Sequence, residues 1–199
     1  MCGGRPMKAI QKTRHCAKAG FSLVEVVMTL AIGMVLASVA LPMLVTAVQG
    51  YRLTSIAQQA AHLIDLTRYS AIRRNAVISL QTTTQGASKV LYVDLNGNTR
   101  LDASEPLLLL PPDMQIANGQ SLTPDPSSMG IGNTQNFAGR IAFDYRGAVN
   151  FAGGGVTSSY FLAIGYISQT QLGTRAVTVS PLGQTRLWNA PVGGRWAGM

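Results

Sequence analysis

The chain has 199 residues and a formal charge of +8, enough length for one membrane segment and one domain with a real core. Five of the sixteen basic residues (Arg5, Lys8, Lys12, Arg14 and Lys18) precede residue 21 with no acid among them, so the remainder carries only +3, which excludes nucleic-acid binding by bulk charge. Cys2, Cys16 and His15 fall in the same twenty residues, leaving His62 alone beyond them, which excludes disulfides, thiol chemistry and metal–histidine clusters if that stretch is removed.

Residues 21–48 read FSLVEVVMTLAIGMVLASVALPMLVTAV, with Glu25 as their one charge. As a helix rising about 1.5 Å per residue they would span roughly 40 Å, enough to cross a hydrocarbon core of ~30 Å. The basic stretch lies before this run and no comparable cluster follows closely. That bias places the amino terminus in the cytoplasm and the remainder outside. A conventional secretory signal is the rival reading, with Ser38-Val39-Ala40 as its small-residue cleavage site. Cleavage there would sever the apolar run partway along, which argues against it.

Glu25 is the informative residue in this segment. A carboxylate inside a bilayer costs about 2.5–3.5 kcal/mol on insertion scales, so such residues are kept for a partner. If the chain begins anew at Phe21, Glu25 lies one helical turn in. Its counter-ion would then be an α-amino group, its own or a neighbouring subunit's. The plainer alternative is a side chain that snorkels to the interface.

Gly20-Phe21-Ser22-Leu23-Val24-Glu25 followed by an apolar helix resembles the class III leader of type IV pilins and type II secretion pseudopilins. Gly stands before the cut, Phe after it, Glu at the fifth mature position, and Pro42 within the helix. The resemblance implies that a prepilin peptidase cuts between Gly20 and Phe21 and that Phe21 is N-methylated. It also implies that Glu25 pairs with a neighbouring subunit's amino terminus in assembly. Met7 offers an alternative start to Met1, with a leader of the commoner short length. Pro42 lacks an N–H and its ring clashes one turn back, so a kink between Ser38 and Leu41 is expected.

Beyond Gly50 the helix is expected to continue in amphipathic form. Leu53, Ile56, Ala60, Leu63 and Ile64 recur at three- and four-residue spacing, while Gln58, Gln59, Asp65 and Arg68 fall elsewhere. This pattern fades near Asn75. His62 reads as a surface or boundary residue. Then the pattern becomes β: residues 77–82, 89–93, 107–110, 140–144, 148–151, 160–167, 175–180 and 185–188 are short apolar or β-branched runs separated by Gly, Pro, Asn and Ser. Residues 118–135, with Pro124, Pro126 and several Gly and Ser, read as a long loop. The predicted fold is α+β: a long transmembrane and amphipathic helix, then a head of about eight strands in two sheets.

Several segments resemble the GspH/FimT branch of pseudopilins. They are Ala71-Ile72-Arg73-Arg74-Asn75 with Val77, Val93-Asp94 with Glu105-Pro106-Leu107-Leu108, Ile141-Ala142-Phe143 with Gly147, and Val177-Thr178-Val179-Ser180-Pro181-Leu182-Gly183. The resemblance spans most of the chain. It divides the sequence into a leader (1–20), a transmembrane helix (21–48), its amphipathic continuation (49–76) and a periplasmic head (77–199).

Two head segments are candidate sites. Asp94, Asn96, Asn98, Asp102 and Glu105 occupy positions 1, 3, 5, 9 and 12 of a twelve-residue window, the spacing by which calcium loops wrap a hard cation. Position 6 is Thr99 rather than Gly, and strands flank the window in place of helices. The alternative is a hairpin turned at Asn96-Gly97 and held by Asx hydrogen bonds. At the carboxyl end, Gly194-Arg195 resembles part of the Gly-Arg-x-Arg tail by which transformation-linked members of the branch contact DNA, but the second Arg position is Ala197. Arg186, Arg175 and Arg195 with Trp188 and Trp196 would make a basic, aromatic phosphate-binding patch; scattered surface arginines are the alternative.

No nucleophile–base pair or phosphate loop is visible, so an enzyme is not expected. The resemblance implies a structural subunit of the bacterial inner membrane whose partners are prepilin peptidase and other pseudopilins or pilins. It is read as a minor pseudopilin of type II secretion. The alternative is a minor type IV pilin that serves pilus assembly or DNA capture.

Overall fold

The computed structural model describes residues 22–117, 129–131, 134–137, 139–150, 158–191 and 193–199. It divides into two compact units, Met1–Met43 and Leu44–Met199. One helix, α1 (Leu23–Arg74), runs through both.

In the first unit every described residue is exposed. This part of α1 contains the apolar window, with a mean hydropathy of 2.3 over eighteen residues, and is long and apolar enough to cross a membrane. Its hydroxyls are satisfied locally: Thr29 donates to the Val26 carbonyl at 2.9 Å and Ser38 to the Val35 carbonyl at 2.7 Å. Such internal pairing is what an apolar solvent demands of polar groups. The helix is continuous through Pro42.

In the second unit α1 buries one face. Leu53, Ala57, Ala60, Ala61, Leu63, Ile64, Thr67, Ser70 and Ala71 are buried, in line with the expected stripe. The helix ends where Asn75 turns to φ 50°. There the Ala76 N–H donates to the Ala71 carbonyl and the Asn75 N–H to the Ile72 carbonyl. That pair of bonds is a Schellman cap with Asn as its left-handed residue, and Arg73 and Arg74 complement the helix dipole.

The head holds eleven strands among the described residues, not eight, in the two sheets expected. Sheet A runs β3 (Leu107–Leu109), β2 (Ser88–Asp94), β1 (Ile78–Gln85), β6 (Arg140–Phe143), β7 (Val149–Asn150), each pair antiparallel. Sheet B runs β11 (Ala197–Gly198), β10 (Thr185–Ala190), β9 (Thr174–Val179), β8 (Ser159–Tyr166), β4 (Met114–Ala117), with β5 (Thr134–Asn136) parallel to β8. The three unexpected strands are β4, β5 and β11. Each is short and carries too few β-branched residues to be recognised from its own sequence, so its long-range partner strand defines it. Strand β5 falls at the end of the stretch read as a loop, most of which lies outside the described residues.

The core joins α1 to the inner faces of both sheets. Leu53, Ile64, Leu80, Leu91, Ile141, Phe143, Leu162, Ile164 and Val177 belong to one buried cluster. A second, smaller cluster covers the opposite face of sheet B: Phe161, Ala163, Ala176, Trp188 and Ala190 meet Met129 and Trp196. The carboxyl-terminal segment thus folds back over sheet B rather than trailing free.

Candidate functional site

Glu25 lies in the first turn of α1, where Ser22 accepts the Val26 N–H at 3.1 Å. A carboxylate there complements the positive end of the helix dipole. It is exposed amid apolar side chains, and among the described residues it has no basic partner. Gly20 and Phe21, the expected cleavage pair, lie outside the described residues.

The loop from Asp94 to Glu105 is organised by its own amides. Asp94, 1% exposed, accepts from the Gly97 N–H at 2.7 Å, the Thr99 N–H at 3.0 Å and the Gln81 side-chain amide at 2.7 Å. Glu105 accepts from the N–H groups of Leu95 and Asp102 at 2.9 and 3.1 Å. Asp102 accepts from the side-chain amides of Asn96 and Asn98 at 2.7 and 2.8 Å. The two asparagines also accept from the Asn98 and Arg100 N–H groups, giving successive Asx turns. The five residues of the calcium window therefore come together, but their oxygens face N–H donors rather than one another. Among the described residues no group of three His, Cys, Asp or Glu is arranged to hold a metal. Thr99 at φ 60° takes the left-handed conformation, and the loop returns to β3 rather than closing as a two-residue hairpin.

Gln81 and Ser79 were not singled out in the sequence. On the outer face of β1, Gln81 bridges Ser79 and Asp94, and the Tyr92 hydroxyl donates to it at 3.4 Å. Burial raises the Tyr92 phenol above its usual value, and the carboxylates of Asp94, Glu105 and Asp102 push it the same way. The polar run Gln81-Thr82-Thr83-Thr84 inside a strand was the available signal.

The basic, aromatic patch does not form. Register pairs Arg175 with Asn189 and Arg186 with Thr178. Because side chains alternate along a strand, Arg175 lies on the helix-facing side with Val177, and Arg186 on the other. Arg175 is half-buried, donates to the Thr54 hydroxyl at 3.1 Å, and has its pKa lowered by desolvation. Both tryptophans are interior. Trp188 donates to the Thr178 hydroxyl at 2.9 Å, and Trp196 meets Phe161 edge-on at 5.5 Å. Arg186 and Arg195 remain exposed.

Asp65 and Arg68, expected on the polar side of α1, fasten it to the head. Asp65 accepts from the Thr185 hydroxyl at 3.0 Å, and Arg68 donates to the Gly147 carbonyl at 3.0 Å. Gly147 and Gly183 make this contact possible, at φ 78° and 79°. A Cβ on Gly147 would meet Ile72 at 2.7 Å, and one on Gly183 would collide with the Gly147 carbonyl oxygen.

An exposed apolar helix that continues into the core of a two-sheet head defines the class as pilin-like. Residues 57–194 match the family described as Type II transport protein GspH, and residues 16–41 match the prokaryotic N-terminal methylation motif. The pilin-like protein PilA1 of Thermus thermophilus is 31% identical over 171 residues, 85% of this chain and 98% of that one. Among solved structures, the type IV minor pilin FimU of Pseudomonas aeruginosa has 15% identity and a TM-score of 0.48, covering 73% of this chain and 92% of that one. The minor pseudopilin EpsH of the Vibrio cholerae type 2 secretion system has 14% identity and a TM-score of 0.43, covering 71% and 98%. The chain belongs to the family described as Type II transport protein GspH and is pilin-like.

Proposed function

We propose that this chain is a minor pseudopilin of type II secretion, a structural subunit of a periplasmic filament that drives protein export. On this reading residues 1–20 are a leader, prepilin peptidase cuts between Gly20 and Phe21, and Phe21 is methylated. Residues 21–48 then hold the protein in the bacterial inner membrane, with the amino terminus cytoplasmic and the head periplasmic. Glu25 pairs with the amino terminus of an adjacent subunit as the helices leave lipid for the filament. The observation that carries this reading is the contrast within α1. Every described residue up to Met43 is exposed and Glu25 is the one charge there, whereas the later part buries one face in a folded head. So much uncovered apolar surface requires lipid or neighbouring helices.

Amino-terminal sequencing of the native protein tests the proposal. A methylated phenylalanine at position 21 supports it, whereas a start beyond Ala40, or an untrimmed methionine, overturns it.

A second reading, a minor type IV pilin, is favoured by the likeness to a pilin-like protein across 85% of the chain. In that setting the subunit would serve pilus assembly, or DNA capture through the exposed Arg186 and Arg195. Crosslinking the head in cells separates the two, since secretion components would be recovered in one case and pilus subunits in the other. A gel-shift assay at low salt tests the DNA arm. A head that leaves the probe unshifted removes it.

A further inference from the structure

We infer that the end of the head nearest the apolar run, formed by Tyr51 and Arg52 of α1, the turn at Asp113 and Ile167 beyond β8, rests on the lipid headgroup layer while the subunit is in the membrane. The inference rests on the membrane-anchored reading above and extends it from the helix to residues far away in sequence.

The apolar run ends at Val48, still 45% exposed, and Gln49 is the first polar residue after it. Three contacts draw other segments to this level. The Tyr166 hydroxyl donates to the Gln49 carbonyl at 3.2 Å, the Ile167 N–H donates to the Asp113 carbonyl at 2.9 Å, and Arg52 and Asp113 line one cavity with Pro111 and Met114. Burial and Asp113 raise the Tyr166 phenol and Arg52 lowers it, so both charges lie close to that hydroxyl.

The chemistry of this rim matches a headgroup layer. Tyr51 is 77% exposed and Ile167 54%, two large side chains left mostly in the open at the level where the apolar helix emerges. Tyrosine and arginine at that depth place an apolar body toward the acyl chains and a polar end among headgroups. One exposed cation and one exposed anion, Arg52 and Asp113, suit zwitterionic lipid. The opposite end of the head is far off. Gly183 abuts Arg68, nineteen residues beyond Gln49, which is roughly 28 Å along the helix at about 1.5 Å per residue. Leu182 beside it is 71% exposed and serves as the distal reference.

The test uses the full chain with Cys2→Ser and Cys16→Ser, carrying one of Val45→Cys, Ile167→Cys or Leu182→Cys, each at an exposed position and labelled with a small fluorophore. The proteins are reconstituted in vesicles of phosphatidylethanolamine and phosphatidylglycerol, with and without nitroxide-labelled lipid. Several-fold stronger quenching at Ile167→Cys than at Leu182→Cys is expected. Equal quenching at those two sites, with Val45→Cys quenched, overturns the inference and leaves the anchor standing. Failure to quench Val45→Cys overturns the anchored reading, and the inference with it.

Discussion

Asp94 joins two structures that the sequence kept apart, a strand end and a loop that resembles a cation site. Its carboxylate holds two loop amides and the buried amide of Gln81. Removing it leaves those donors without an acceptor, and a hydrogen bond to a charged group contributes about 1.5–3 kcal/mol. Asp94→Ala is therefore expected to destabilise the head by about 3 kcal/mol, read as a lowered melting temperature of the full chain in detergent. The same melt, run with calcium and with chelator, addresses the cation. The hydrogen bonds seen predict no difference. A rise with calcium that disappears in Asp94→Ala and Asp102→Ala would show that the loop turns its oxygens onto an ion. Tyr92 adds a pH dependence. Its folded pKa is raised above the unfolded value near 10, so the stability it contributes is complete below that value and is lost as pH climbs through the folded pKa. Denaturant melts above pH about 10 should thus show falling stability, with a shallower fall in Tyr92→Phe. An unchanged slope in that variant would place the alkaline loss elsewhere.

At the scale of elements, the junction of α1 with the two turns at Gly147 and Gly183 fixes the helix on the head. Gly183→Ala would combine left-handed strain with a collision against the Gly147 carbonyl oxygen. A loss of about 2–5 kcal/mol is expected in urea unfolding, from adding those two effects. Gly86→Ala shares a positive φ of 59° but meets nothing, so it should lose only the strain, about 1–2 kcal/mol. Equal losses in the two variants would mean that crowding at the junction is relieved by movement. These contacts mark the boundary of what the sequence disclosed. The stripe from Leu53 to Ile64 was legible because helical periodicity is local, and β8 and β9 because strands buried almost throughout read as short apolar or β-branched runs. Asp65 and Arg68 were legible only as polar, since their partners, Thr185 and Gly147, are far along the chain. The arginine patch failed for a related reason: spacing along β9 and β10 does not reveal that a register of Asn189 on Arg175 sends Arg175 and Arg186 to opposite faces. The tryptophans looked available because an aromatic near a terminus reads as exposed until the tail is seen folding over sheet B.

For the molecule as a whole, the decisive question is what happens to one carboxylate when the subunit changes solvent. In lipid Glu25 is a liability of about 2.5–3.5 kcal/mol, so Glu25→Ala should insert at least as well as the parent. On the proposed reading leader removal should also be normal in that variant, measured as the intact mass of the membrane-bound protein, because Gly20 and Phe21 at the cut are unchanged. On the proposed reading the balance reverses in the filament, because an amino terminus from the next subunit, carried into the same apolar core, would require an opposite charge. Removal of one partner of a buried ion pair is expected to destabilise by about 3–5 kcal/mol. Sheared filament fractions should hence contain little Glu25→Ala while the membrane fraction holds the normal amount. Glu25→Gln distinguishes charge from shape, since it keeps the size and hydrogen-bonding reach of the side chain. If pairing with an ammonium is the reason for the residue, Glu25→Gln fails as Glu25→Ala does. Normal incorporation of the glutamine variant would instead assign Glu25 a hydrogen-bonding or interfacial role, and the assembly reading of the helix would have to rest on its apolar surface alone.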